Sequence, residues 1–159
     1  MNAPEKLPVS REPHVMKTYG RLPIALSHGR GCWVWDTEGK KYLDGLGGIA
    51  VNTLGHAHPK LVPALQDQVA KLDYAPNFQM GHPLPFELAS RIAAMMPEDL
   101  DHVFFANSGS EAVDTALKVA LAYHKARGEG ARTRFIGRER GYHGVGFGGI
   151  SVGGMLNNR

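Results

Sequence analysis

Ser108, Gly109 and Ser110 follow the apolar pair Phe104-Phe105 and precede Glu111 and a run of helix formers, an order of residue types that can build an anion-binding cup. Gly109 has no Cβ and lets backbone approach a ligand, the two serines add hydroxyl donors, and the first turn of the following helix points unpaired N–H groups outward. A phosphate is the natural occupant. The same residues also read as a well-capped core helix without a ligand, because Ser108-x-x-Glu111 has capping-box spacing. A second group with chemistry in it is Gly141-Tyr142-His143-Gly144, which comes after the apolar run Phe135-Ile136. An aromatic side chain at a strand end could stack on a flat heteroaromatic ring whose phosphate arm sits at the helix N-terminus. Taken singly, Tyr142 is more often a core or interface tyrosine, and His143 a satisfied structural histidine.

The elements that must position these groups follow from periodicity. Ala112, Val113, Ala116, Leu117, Ala120 and Leu121 share one face of a helix predicted over 110–127, which Gly128 and Gly130 stop. Strands are predicted over 103–106 and 133–137, and with the helix between them they form a crossover unit of a parallel sheet, hence an α/β domain. Upstream, Cys32–Trp35 and Lys41–Leu43 flank the turn-rich Asp36–Lys40 and predict a β-hairpin. Pro59 opens a helix whose apolar positions are Leu61, Val62, Leu65, Val69 and Leu72, and a further helix spans 85–96 with Pro97 as its stop.

Composition narrows the class. With 43% hydrophobic and 21% charged residues the chain is an ordinary globular one, and no apolar run reaches the roughly 18 residues a membrane helix needs. Residues 1–14 are polar and proline-bearing, read as a flexible arm without a secretion signal. The one cysteine, Cys32, can form no internal disulfide, which fits a cytoplasmic location. Arg132, Arg134, Arg138 and Arg140 alternate along a strand and loop and read as solvent or interface residues, so nucleic-acid binding is set aside. His56-x-His58 has no third ligand nearby and is read as loop and cap geometry in place of a metal site. Asp36, Glu38 and Asp44 read as ordinary hairpin carboxylates, Trp33 and Trp35 as packing residues, and Lys118 as a surface residue. Gly141 to Gly154 holds seven glycines among Phe147, Ile150 and Val152, apolar residues that call for a sheet or a dimer partner to cover them.

Three linked motifs, Asn107-Ser108-Gly109-Ser110-Glu111-Ala112, Gly141-Tyr142-His143-Gly144 and Gly55-His56-Ala57-His58-Pro59, in this order and at these separations, resemble the class III aminotransferases. The resemblance runs from about Val15 to Arg159. It implies the N-terminal part of a fold type I transferase that uses pyridoxal 5'-phosphate, with residues 15–72 a small-domain segment and 73–159 the first part of the large cofactor domain. It further implies that Ser108, Gly109 and Ser110 hold the cofactor phosphate and that Tyr142 and His143 lie at its ring. The lysine that carries the cofactor as a Schiff base and the aspartate facing its pyridinium nitrogen are expected beyond Arg159, so the chain by itself is read as inactive.

Within that family, Thr18-Tyr19-Gly20-Arg21-Leu22-Pro23 and Asn52-Thr53-Leu54-Gly55-His56 resemble acetylornithine aminotransferases. Tyr74-Ala75-Pro76-Asn77-Phe78-Gln79 and Gly144-Val145-Gly146-Phe147-Gly148-Gly149 resemble omega-amino acid–pyruvate aminotransferases. The implied substrate-facing positions are Tyr19, Ala50, Phe78 and Val145. Acetylornithine and 4-aminobutyrate enzymes carry an arginine where this chain has Val145, and omega-type enzymes a tryptophan near Ala50. The expected reaction passes an amino group from an omega-amino acid or amine to pyruvate or another 2-oxo acid in a homodimer, with Phe78 reaching the partner's site. The rival readings are an acetylornithine- or 4-aminobutyrate-type enzyme, a truncated non-catalytic product that binds pyridoxal phosphate, and an unrelated phosphate-binding α/β module.

Overall fold

A computed structural model describes residues 24–76 and 78–156. The chain divides into two compact units, Met1–Met80 and Gly81–Arg159, each taken by itself below.

The first unit holds a three-stranded antiparallel sheet in the order β1 (Leu26–Arg30), β2 (Trp33–Asp36), β3 (Lys41–Leu43). The hairpin expected from the sequence is the β2–β3 pair, with Trp33 opposite Leu43, Val34 opposite Tyr42 and Trp35 opposite Lys41. Strand alternation sends Val34, the buried apolar side chain among the described residues, to one face and both tryptophans to the other. On that second face the His28 ring stacks on Trp35 at 4.8 Å, and the Lys41 ammonium sits 4.0 Å from the Trp33 ring centre. The tryptophans are therefore packing residues, as expected.

Asp36 is more than an ordinary hairpin carboxylate. It is buried, its Oδ1 accepts from the N–H groups of Glu38 (2.9 Å) and Lys40 (2.8 Å), and its Oδ2 accepts from the Tyr42 hydroxyl (2.8 Å). Burial pushes this carboxyl up, but the Tyr42 hydroxyl and the Lys40 and Glu38 N–H groups pull further the other way, leaving it below the usual 3.8. A folded-state value below the unfolded one gives stability that is present above the ordinary carboxylate range and lost as pH falls through the folded value. The Glu38 and Lys40 amides are accordingly expected to keep their hydrogen-exchange protection at pH 4 to 7 and lose it only below about pH 4. Loss already at neutral pH would count against Asp36 as the organiser of this loop.

After β3 the chain makes α1 (Gly47–Ala50), a single turn in which Gly47, Gly48, Ile49 and Ala50 all have φ between 51° and 63°. The turn is left-handed. α2 (Leu61–Lys71) follows, its first amides bonded to the His58 carbonyl, so that Pro59 lies just ahead of the helix and not at its first position.

The second unit opens with α3 (Pro83–Ala93), capped by His82 Nδ1, which accepts from the Leu84 N–H at 3.1 Å. It stops three residues short of the expected Met96. Met95 and Met96 bond to carbonyls only three residues back, because the residue before Pro97 is pushed out of the α region. α4 (Gly109–Ala126) is the expected helix. It ends in a Schellman motif at Gly128, with Glu129 N–H on the His124 carbonyl and Gly128 N–H on that of Lys125, and the Glu129 carboxylate meets His124 Nδ1 at 2.8 Å. Lys118 is exposed on this helix.

The expected strands over 103–106 and 133–137 are a correction, since neither segment forms a ladder among the described residues. Each is an apolar run without a hydrogen-bonded neighbour beside it, and a strand exists only as part of a pair. Phe104 and Ile136 consequently stand 71% and 98% exposed. Helices and strands both form, as the expected α/β class requires. The glycine-rich tail forms α5 (Phe147–Val152), which lies on α4. Its glycines have a physical reason, since a Cβ on Gly149 would strike the His143 carbonyl and one on Gly154 that of Arg138.

Candidate functional site

The start of α4 is shaped by two side chains. Ser108, in extended backbone at the N-cap, accepts the Glu111 N–H on its Oγ at 3.1 Å, and Glu111 Oε2 reaches back to the Asn107 N–H at 3.0 Å. This is the reciprocal arrangement the Ser-x-x-Glu spacing calls for, displaced by one residue on the return side. With Glu111 and Ala112 bonded to Ser108, the N–H groups of Gly109 and Ser110 make no hydrogen bond among the described residues. A Cβ added to Gly109 would meet nothing within 4 Å, so this backbone faces open space.

Thirty-five positions along the chain, the second group of residues comes to the same place. The Val145 N–H donates to Ser110 Oγ at 2.9 Å, and one helical turn further the Gly149 N–H donates to Asp114 Oδ1 at 2.9 Å. Ser110 and Asp114 are four residues apart on α4 and so share a face, and Val145 and Gly149 repeat that spacing across from them. Gly144, with φ +93°, passes so close that a Cβ there would lie 2.6 Å from Ser110 Cα and 2.6 Å from its Oγ. The Asp114 carboxylate fills the space where a Gly146 Cβ would stand, at 2.5 Å. The structure thus joins Ser108, Gly109 and Ser110 to the segment of Tyr142, His143 and Val145. Tyr142 and Val145 are each 59% exposed, while the His143 ring is half-buried over Gly141. Asp114 was not singled out in the sequence, although its place one turn after Ser110 was a signal that could have found it.

Of the other named positions, Ala50 is in the left-handed turn and Phe78 is 80% exposed, both in the first unit. Tyr19 lies outside the described residues, as do residues 1–14. No group of three or more His, Cys, Asp or Glu able to hold a metal occurs among the described residues. His56 instead pairs with Asp44, and His58 Nδ1 accepts the Lys60 N–H at 3.2 Å. No described helix is long and apolar enough to cross a membrane.

The family model for aminotransferase class III matches residues 15–158. This chain belongs to the class III aminotransferases. Among the relatives of this aminotransferase chain, an omega-aminotransferase of Caulobacter vibrioides is 57% identical, over 90% of this chain and 33% of the relative. An acetylornithine aminotransferase of Methanopyrus kandleri is 43% identical, over 86% and 33%. Both kinds named in the resemblance are thus present among them. In structure, the omega-transaminase of Pseudomonas jessenii in complex with PMP superposes with a TM-score of 0.82 at 34% identity, over 86% of this chain and 30% of that one. The class III aminotransferase chain spans about a third of the length of the curated relatives it matches. Its fold is that of the N-terminal part of a fold type I transferase.

Proposed function

We propose that this chain provides the phosphate cup and ring-stacking face of a pyridoxal-phosphate-dependent aminotransferase. The reaction is transfer of an amino group from an omega-amino acid or amine to pyruvate or another 2-oxo acid. The observation that carries the reading is the Val145 N–H on Ser110 Oγ, which joins the open N-terminus of α4 to the Tyr142 segment. The donor set fits a phosphate: two unpaired backbone N–H groups, a serine hydroxyl whose proton remains free to donate while its oxygen accepts from Val145, and the positive end of an 18-residue helix. Tyr142 offers an exposed ring three residues before the Val145 N–H that is bonded to the helix start. When bound, pyridoxal phosphate supplies an electron sink for the carbon that carries the amino group. The residues of this chain hold, orient and shield it. The lysine and aspartate that complete the chemistry belong to the remainder of a longer protein, residues 73–159 forming the beginning of its large domain and residues 15–72 a small-domain segment. That protein works as a cytoplasmic homodimer, with Phe78 turned towards the partner's site.

The 31P resonance of pyridoxal phosphate titrated with the 159-residue chain tests the cup. Broadening that excess inorganic phosphate reverses supports it, and an unchanged line overturns the claim that these residues suffice to hold the phosphate.

Val145 carries the substrate reading. An arginine there would hold a second carboxylate through paired N–H donors, and valine cannot. In the complete enzyme Val145→Arg is expected to lower KM for dicarboxylic partners at least ~10-fold relative to simple amines, a difference of about 1.4 kcal/mol. Equal responses of the two substrate classes would remove the role. The acetylornithine-type alternative draws its support from the relatives of that name.

A further inference from the structure

The left-handed turn α1 is costly. Residues with a Cβ lose roughly 1–2 kcal/mol each in this conformation, and Ile49 and Ala50 both adopt it. Burial does not offset the cost, since Ile49 is 85% exposed. The fixings are polar. Asp44 Oδ1 accepts the Gly47 N–H at 2.9 Å, the Gly47 carbonyl accepts the Asn52 N–H at 2.8 Å, and the Leu46 carbonyl accepts that of Ala50 at 3.0 Å. Asp44 is itself held, its Oδ2 lying 2.8 Å from His56 Nε2. His56 is held in turn by two backbone bonds to Gly31, of 2.9 and 2.8 Å, and by its ring lying over Gly29, where a Cβ would come within 2.6 Å of the His56 Cγ. The strained turn is therefore referenced, through Asp44 and His56, to the tight turn between β1 and β2. Asp44, Ala50 and His56 all line one cavity of about 310 Å³, together with Cys32 and Asn52.

Strain of this kind persists where its surroundings over-determine it, and it collects at sites that must present a group in a fixed place. We propose that Asp44 and His56 are positioning residues that lock the left-handed turn and so fix where Ala50 faces the amino donor. The inference rests on the reading of Ala50 as substrate-facing and adds to it the device that holds it there. Neither Asp44 nor His56 touches the donor; they act through the Gly47 N–H and the backbone that follows.

The test uses Asp44→Ala, His56→Ala and Asp44→Asn in the 159-residue chain, followed by residue-resolved amide exchange. Both alanine variants are expected to speed exchange at Gly47, Ala50 and Asn52 at least ~10-fold while the β2–β3 and α4 amides keep their rates. Asp44→Asn, which retains an acceptor for the Gly47 N–H, is expected to restore most of the protection. Unchanged rates at the three amides in either alanine variant overturn the proposal, and so does a loss that Asp44→Asn fails to restore. In the complete enzyme His56→Ala should raise donor KM at least ~10-fold with cofactor affinity unchanged. General damage to the fold would raise donor KM and weaken cofactor binding together, and that result also overturns it. Ala50→Trp separates the two claims: if it leaves donor KM unchanged while the exchange results stand, the substrate role of Ala50 fails and the lock remains.

Discussion

Gly109→Leu is expected to leave α4 intact and to weaken pyridoxal phosphate binding at least ~100-fold. The two halves of this expectation come from different observations. Gly109 is the first residue of the helix, no described atom lies within 4 Å of the Cβ it lacks, and its backbone does not require positive φ. Leucine there is also the better helix former. The fold therefore has no objection to it, and far-ultraviolet circular dichroism of the variant should match that of the parent chain. The space leucine would fill is the space over the free N–H groups of Gly109 and Ser110. A phosphate held off those groups loses two charge-assisted hydrogen bonds and the helix end behind them, each bond to a charged group contributing about 1.5–3 kcal/mol. Undiminished broadening of the pyridoxal phosphate 31P line by the variant would show that the phosphate sits elsewhere.

Gly144→Val is expected to do the reverse, damaging the structure first and binding as a result. Gly144 combines φ +93° with a Cβ position only 2.6 Å from Ser110 Cα, so valine would be strained in its backbone and in collision with helix backbone that cannot yield. A β-branched residue at positive φ costs about 1–3 kcal/mol and overpacking against backbone adds a similar amount. The segment should leave α4, breaking the Val145–Ser110 and Asp114–Gly149 bonds together. The Val145 and Gly149 amides would then exchange at rates close to those of an open chain, whereas the Glu111 amide, capped locally by Ser108, would not change. Retained protection at Val145 would refute this account of why position 144 is glycine.

These contrasts follow how much of the molecule was legible in its sequence. Features fixed by neighbours in the chain were readable: the Ser108 cap, α4 and its Gly128 stop, and the β2–β3 hairpin around Asp36–Lys40. Features that depend on distant partners were not. β1 contains Gly29 and lacks alternation, yet it pairs with β2, and Gly29 leaves room for the His56 ring. The left-handed turn was invisible, since Gly47 and Gly48 hint at unusual backbone but Ile49 and Ala50 argue against it. Asp36 and Asp44 carry the same side chain as any hairpin carboxylate, and only folding shows that one gathers a loop and the other anchors a turn. The runs 103–106 and 133–137 have strand composition without a strand's neighbour, the reverse error. For the site, the residue types of the cup were plain, whereas the contribution of Asp114 required knowing what lies opposite α4.

The bare side chains along the second unit have a consequence for the chain in a cell. Phe104, Ile136 and Phe147 stand 71%, 98% and 92% exposed in this unit. Exposed apolar residues separated by short stretches of unpaired backbone are what chaperones grip and what drives one copy onto another. Made by itself, this chain is expected to bind holdase chaperones and to lose soluble yield as its concentration rises, however well α4 is capped.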